Sequence, residues 1–225
     1  MMTGAWHIAT KDLHMVLMRG SGLVQALLLG LIMLFVFSLS QQVGETMSPQ
    51  GAATIFWLAS AFCQVLIFNT LYALEEANGA RLGLLLMPRP VQSVWLGKAL
   101  GALALLLLAQ LVFLPATIVF LGQNISVLWP WALLALVLVD VGMVAVGSLL
   151  GALSQGQAAR ESLLSIVLFP LLIPLLLAGI RVGAGAFAEA LPEGFHSWLG
   201  VAAAFDALFL GAGLILFEFV YAGEE

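Results

Sequence analysis

Residues 97–121 read "GKALGALALLLLAQLVFLPATIVFL", twenty-five residues in which Lys98 is the only charge. A helix rises about 1.5 Å per residue, so a run of this length crosses the roughly 30 Å hydrocarbon core of a bilayer with residues to spare. It is too long for a barrel strand and lacks the period-two alternation such a strand needs. Backbone in lipid must then be helical to satisfy its own polar groups. Scanning outward with a window of about 19 residues finds five more such runs, at 23–39, 52–73, 128–153, 162–180 and 198–220. The composition agrees: 63% hydrophobic and 8% charged residues, with a mean hydropathy of +1.13, leave too little polar surface to coat a water-soluble globule. The expected fold is all-α, a bundle of six transmembrane helices forming a single domain over residues 1–225.

Several function classes fall away at this point. Seven Lys and Arg against twelve Asp and Glu give a net charge of −5, which offers no basic face to neutralise phosphates and argues against nucleic acid as a partner. The lone Cys63, inside an apolar run, excludes an internal disulfide and a thiolate metal cage and reads as packing. No His-Glu-x-x-His or Gly-x-Ser-x-Gly motif occurs and no histidine lies in a span, so neither a catalytic site, a metal centre nor an intrinsic cofactor is expected. Ser38 and Ser40 imitate a signal-peptide cleavage site after the first run, but the leader is long for one, and the run reads as uncleaved.

Orientation follows from the cations. Lys11 and Arg19 precede the first run, Arg81, Arg89 and Lys98 stand between the second and third, and Arg160 between the fourth and fifth; Arg181 alone is on the other side. The positive-inside rule puts both termini in the cytoplasm. Trp129, Trp131 and Trp198 then fall at the outer interface, and Tyr72, Trp95 and Tyr221 at the inner one, as belt residues. Within residues 1–20, "AWHIATKDLHMVLMR" (5–19) sets Trp6, Ala9, Leu13, Val16 and Leu17 near helical spacing, with Lys11, His14 and Arg19 elsewhere. That pattern predicts an amphipathic helix lying in the inner interface against membrane lipid.

The inner connection at 74–96 opens with "LEEANGARLGLLLMPRP" (74–90), an unusual concentration of charge and proline for this chain. Leu82, Leu84, Leu85, Leu86 and Met87 form an apolar surface too short to span the bilayer, and such a surface must be covered. Pro88 and Pro90 stop any helix there, while Glu75 and Glu76 are placed to meet basic groups of a partner. The competing reading is a segment that simply lies on lipid.

An amino-terminal interfacial helix, six spans and a structured first cytoplasmic loop resemble a type-two ABC-exporter permease. No Walker A pattern occurs, so the resemblance implies an ATPase subunit on a separate chain that binds the ATP. The fifth run, "SLLSIVLFPLLIPLLLAG" (162–179), carries Pro170 and Pro174 four apart behind Leu163-Leu164-Ser165-Ile166. This is similar to the CcmB family, the haem-exporter permease of cytochrome c maturation. The loop matches as well, with acids at Glu75 and Glu76, a glycine at Gly79, and the leucine-rich stretch Leu84, Leu85, Leu86, Met87 ending in Pro88, nine residues after that glycine. It departs from the family pattern at Asn78, Arg81 and Leu82.

The resemblance implies a non-catalytic, multi-pass subunit of a bacterial inner membrane, supporting haem delivery to the periplasmic side. It implies haem as the cargo and, as partners, an ABC ATPase, a haem-handling membrane protein, a periplasmic haem chaperone and a second copy of the permease. The loop would be the ATPase-coupling element and the proline pair a helix kink or moving part. Two other readings stay open: a permease for another lipophilic cargo, and a proton-coupled secondary carrier built on Asp140 and Asp206.

Those two acids are the candidate pathway residues, because a carboxylate inside the membrane is costly. Asp140 lies near the middle of span four and Asp206 reads as the outer third of span six, with Glu218 near that span's inner end. His196, just outside span six, is the one candidate for haem iron on the outer side. The pairs Gly97/Gly101 and Gly147/Gly151 predict close helix approach, within the chain or at a subunit seam.

Overall fold

In the computed structural model the chain is described over residues 2–19, 21–41, 46–77, 79, 83, 90–154, 160–188 and 190–222. Helix α1 (Met2–Arg19) precedes six long helices, α2 (Ser21–Leu39), α3 (Pro49–Ala77), α4 (Gln92–Phe120), α5 (Trp129–Leu153), α6 (Arg160–Gly183) and α7 (Phe195–Ala222). A one-turn 3₁₀ helix, Ala184–Ala186, extends α6. All six long helices have the length and hydropathy of a membrane span, and no strand occurs among the described residues. The expected all-α membrane fold is therefore the fold observed. Its boundaries differ: α3 runs through Ala77 and α4 begins at Gln92, so helix occupies both ends of the stretch read as loop 74–96 and leaves 78–91 between them.

Span α3 is the most enclosed and packs against α2, α4, α5 and α6, while α2 and α7 keep most of their surface outward. On α2, Leu23, Ala26, Gly30 and Leu34 recur at helical spacing as the inward stripe; Val24, Leu28, Ile32 and Phe35 face outward, as lipid-facing positions do. Two large aromatics of α3, Phe68 and Tyr72, lie directly over Gly147 and Gly151 of α5, where any side chain would collide with their rings. The second glycine pair works the same way within the chain: Gly97 and Gly101 of α4 meet the backbone of α1 at Ala5 and Ala9.

Helix α1, expected to lie in the inner interface with its apolar stripe on lipid, packs lengthwise on α4, and that stripe is split between protein and surface. Ala5, Ile8, Ala9, Asp12 and Val16 are buried, whereas Trp6 and Leu17 are exposed. The stripe that meets protein is rotated toward Asp12, and the bulky apolar residues Trp6 and Leu17 are left for the membrane interface. Tyr72 and Trp95 also differ from expectation. Each is 1% exposed and sits inside the bundle, whereas Trp129 and Trp131 are exposed as belt residues should be. Pro170 and Pro174 lie within one continuous helix and both face outward, so the ladder loses two donors without the helix ending.

Candidate functional site

Two layers of buried polar groups cross the bundle. The first lies at the end carrying α1, where Lys98 of α4 is fully buried. Its Nζ is 2.6 Å from Glu75 Oε2 on α3 and 3.5 Å from Asp12 Oδ2 on α1, both carboxylates being 1% exposed. The ammonium also stands 4.7 Å from the centroid of the Tyr72 ring, within cation–π range. Lys11, at the edge of the cluster, pairs with Asp12 Oδ1 at 2.7 Å. Among the described residues two acids meet two lysines here, and a buried ion needs such pairing because desolvation otherwise dominates. Tyr72 Oη donates to the carbonyl of Ser148 at 2.7 Å, and Ser148 Oγ donates to that of Trp95 at 3.2 Å, tying α3, α5 and α4 together one layer below.

This cluster joins the two helix ends that flank residues 78–91, since Glu75 closes α3 and Lys98 lies on the first turns of α4. Glu75 was expected to be offered to a partner; the structure turns it inward onto Lys98, whereas Glu76 is exposed. Gly79 adopts a positive φ of 61°, which suits a residue without a side chain at the turn where α3 ends. Leu84, Leu85, Met87 and Pro88 lie outside the described residues, as do Asn78, Arg81 and Leu82. Asp12 escaped the sequence reading altogether. The signal was there: an acid four residues after Ile8 and four before Val16 stands in the middle of a buried stripe, and Lys98 lies inside α4 rather than ahead of it.

The second layer sits halfway along the spans. Gln110 Nε2 on α4 donates to Asp140 Oδ1 on α5 at 2.8 Å and to Ser60 Oγ on α3 at 3.3 Å. Gln64, one turn from Ser60, donates to the carbonyl of Met143. Asp140 is wholly buried, and its partner is an amide from the neighbouring span. Asp206 is 6% exposed and faces Gly142, two residues further along α5 and so about 200° round that helix from Asp140. The two acids thus stand at similar depth on different faces of α5. That corrects the outer-third position read for Asp206, and the structure does not bring the pair together as a dyad.

At the opposite end from α1, an apolar cavity of about 170 Å³ is lined by Phe56, Trp57, Leu114, Trp129, Leu136 and Phe187 among others. That is below the roughly 300–1,000 Å³ of small-molecule sites. A second cavity of about 470 Å³, lined by Met47, Gln123, Asn124, Ser126 and Phe187 among others, opens beside it. His196 lines neither. Its exposed ring packs edge-on against Phe195 at 5.3 Å, and no group of three or more His, Cys, Asp or Glu residues able to hold a metal occurs among the described residues. Arg181 stands 5.9 Å from the Trp198 ring.

A sequence model of one protein family, described as CcmB protein, matches residues 3–220, nearly the whole chain. No curated protein matches.

Proposed function

Since the chain belongs to the CcmB family, it is a membrane subunit of the haem-exporting ABC system of cytochrome c maturation, and we propose that it couples a separate ATPase to that system through residues 78–91. In this reading both termini and the Lys98 cluster face the cytoplasm, as the cation distribution supports. The protein is a single permease domain in a bacterial inner membrane, with ATP bound and hydrolysed on the partner chain and haem delivered on the periplasmic side.

The observation that carries the proposal is the anchoring of the loop. Glu75 and Lys98 hold its two flanking helices together in a buried contact, and Asp12 ties that contact to α1. A force applied to the loop by a docked subunit therefore reaches three helices through one charged node rather than dissipating in a slack connection. The leucine-rich stretch at Leu84, Leu85 and Met87 supplies the apolar contact surface for such a subunit, with Glu76 the surface acid beside it. Pro170 and Pro174 contribute a span with two missing backbone donors, a segment able to change its bend as the complex cycles.

Leu85→Asp tests the coupling. A charge placed at the centre of an apolar contact loses several kcal/mol when buried without a partner. The variant is expected to reach the membrane at the wild-type level and to lose ATPase association or its stimulation. Full association and full stimulation would remove the loop from the mechanism.

A further inference from the structure

Midway along the bundle, three adjacent spans join through polar side chains: Ser60 of α3 and Asp140 of α5 both meet Gln110 of α4, and Gln64, one turn from Ser60, reaches the α5 backbone at Met143. The donors there are almost all engaged. Gln110 Nε2 serves Asp140 Oδ1 and Ser60 Oγ, Ser60 Oγ donates to the carbonyl of Phe56 at 2.9 Å, and Gln64 Nε2 donates to the carbonyl of Met143. These contacts fix both amides, because turning either round would set oxygen against oxygen. Three atoms are left with no hydrogen-bond partner: Gln64 Oε1, Gln110 Oε1 and Asp140 Oδ2. All three are acceptors, on side chains 1%, 3% and 0% exposed.

A lipid-embedded interior supplies no donors, and unpaired buried acceptors are costly, so the chemistry missing from this cluster is positive charge or hydrogen. Lys98 does not provide it, since it lies twelve residues earlier on α4, about 18 Å along the helix, and is held by Glu75 and Asp12. Of the other titratable groups on the surrounding helices, Cys63 is on α3, Asp206 is against Gly142 on another face of α5, Tyr72, Glu75 and Glu76 stand toward the Lys98 end of α3, Glu218 toward that end of α7, and Arg160, Glu161 and Arg181 lie in the first and last turns of α6. Among the described residues no cation is recorded against Asp140.

Valence and ligand type narrow the occupant. One carboxylate neutralises a monovalent cation, whereas a divalent ion would leave net charge at the middle of the membrane. The donor set is all oxygen, without imidazole or thiolate, which suits a hard ion and not a transition metal. We propose that Ser60, Gln64, Gln110 and Asp140 form an intramembrane binding site for a monovalent cation, either a sodium ion or a proton carried with water. Either occupant places positive charge at Asp140 Oδ2, with the amide oxygens of Gln110 and Gln64 as the further unpaired acceptors of this layer. The proposal stands independently of the coupling role assigned to the loop.

The test is thermal unfolding of the full-length chain in lipid nanodiscs, with sodium chloride exchanged for potassium or N-methylglucamine chloride at constant ionic strength, below and above neutral pH. Wild type, Asp140→Asn and Gln64→Leu are compared. The wild type is expected to be stabilised in a saturable way by sodium or, if the proton is the ligand, to lose stability as pH rises whichever salt is present. Asp140→Asn should lose that response. Gln64→Leu keeps the carboxylate and removes one oxygen, so it should need severalfold more sodium, or a lower pH, for the same shift, and it carries the test if Asp140→Asn does not fold. A wild type that responds to neither sodium nor pH, or a response retained unchanged in Asp140→Asn or Gln64→Leu, overturns the site.

Discussion

Replacing Lys98 by Met removes the fully buried cation that Glu75 and Asp12 share, while Lys11 stays beside Asp12. At an effective dielectric near 20, a unit charge pair at 2.6 Å attracts by about 6 kcal/mol and one at 3.5 Å by about 5 kcal/mol. Desolvation of the buried ions offsets much of this, so the assembled cluster contributes little net stability, but taking one partner out of a buried ion pair costs about 3–5 kcal/mol. For a chain of this size each kcal/mol moves the melting temperature by about 2–4 °C, which puts the expected loss for Lys98→Met at about 6–20 °C. The same logic predicts rescue: combining Lys98→Met with Asp12→Asn and Glu75→Gln removes the two buried negative charges that faced Lys98 and recovers most of the loss. Thermal unfolding of the detergent-solubilised or nanodisc-embedded protein, followed by tryptophan fluorescence, measures both. A Lys98→Met variant melting within about 3 °C of wild type, or a triple variant no better than the single one, would refute the claim that these ions form one electrostatic unit.

Gly151→Val puts a branched side chain into the space held by the Tyr72 ring and displaces the Tyr72–Ser148 bond; overpacking of this kind costs about 1–3 kcal/mol. Gly200→Ala, with open space around it, serves as the neutral control in the same melting experiment. Replacing Pro170 and Pro174 together by Ala restores two backbone donors to the outward face of α6. The double variant is expected to accumulate normally, and the yield of mature c-type cytochrome should fall; wild-type yield would leave the prolines with a packing role alone.

The spans were legible because an uninterrupted apolar run in lipid has few other solutions. The core of the site was not, and the reason is physical. Sequence separates residues by type, but a buried lysine and a flanking one look alike until the helix start is known. Lys98 read as the marker of a span's beginning, whereas α4 in fact starts at Gln92 and carries Lys98 inward to Glu75. Asp12 sits on a helix whose large apolar residues centred the predicted face on Trp6 and Leu17, which took in Ala9 but left out Ala5 and Ile8, the residues that meet Gly97. Tyr72 and Trp95 were placed at an interface by type alone, because nothing in a single sequence shows that Gly151 lies opposite the first and Gly213 opposite the second. Asp140 stood out correctly as a costly mid-span acid, but its partner Gln110 comes from another span thirty residues away. Polar pairing between spans is set by how the helices are rotated, and hydropathy alone does not report rotation.

The central claim is that the segment between α3 and α4 docks an ATPase. A photo-cross-linking amino acid placed at position 85 tests it most directly, in membranes from cells assembling c-type cytochromes. The account predicts a covalent adduct with a single ATPase chain, whose yield changes between nucleotide-free and ATP-bound states, while the same cross-linker at position 6 on exposed Trp6 gives no such adduct. Adducts with lipid alone at position 85, in complexes that still mature cytochrome c, would contradict it.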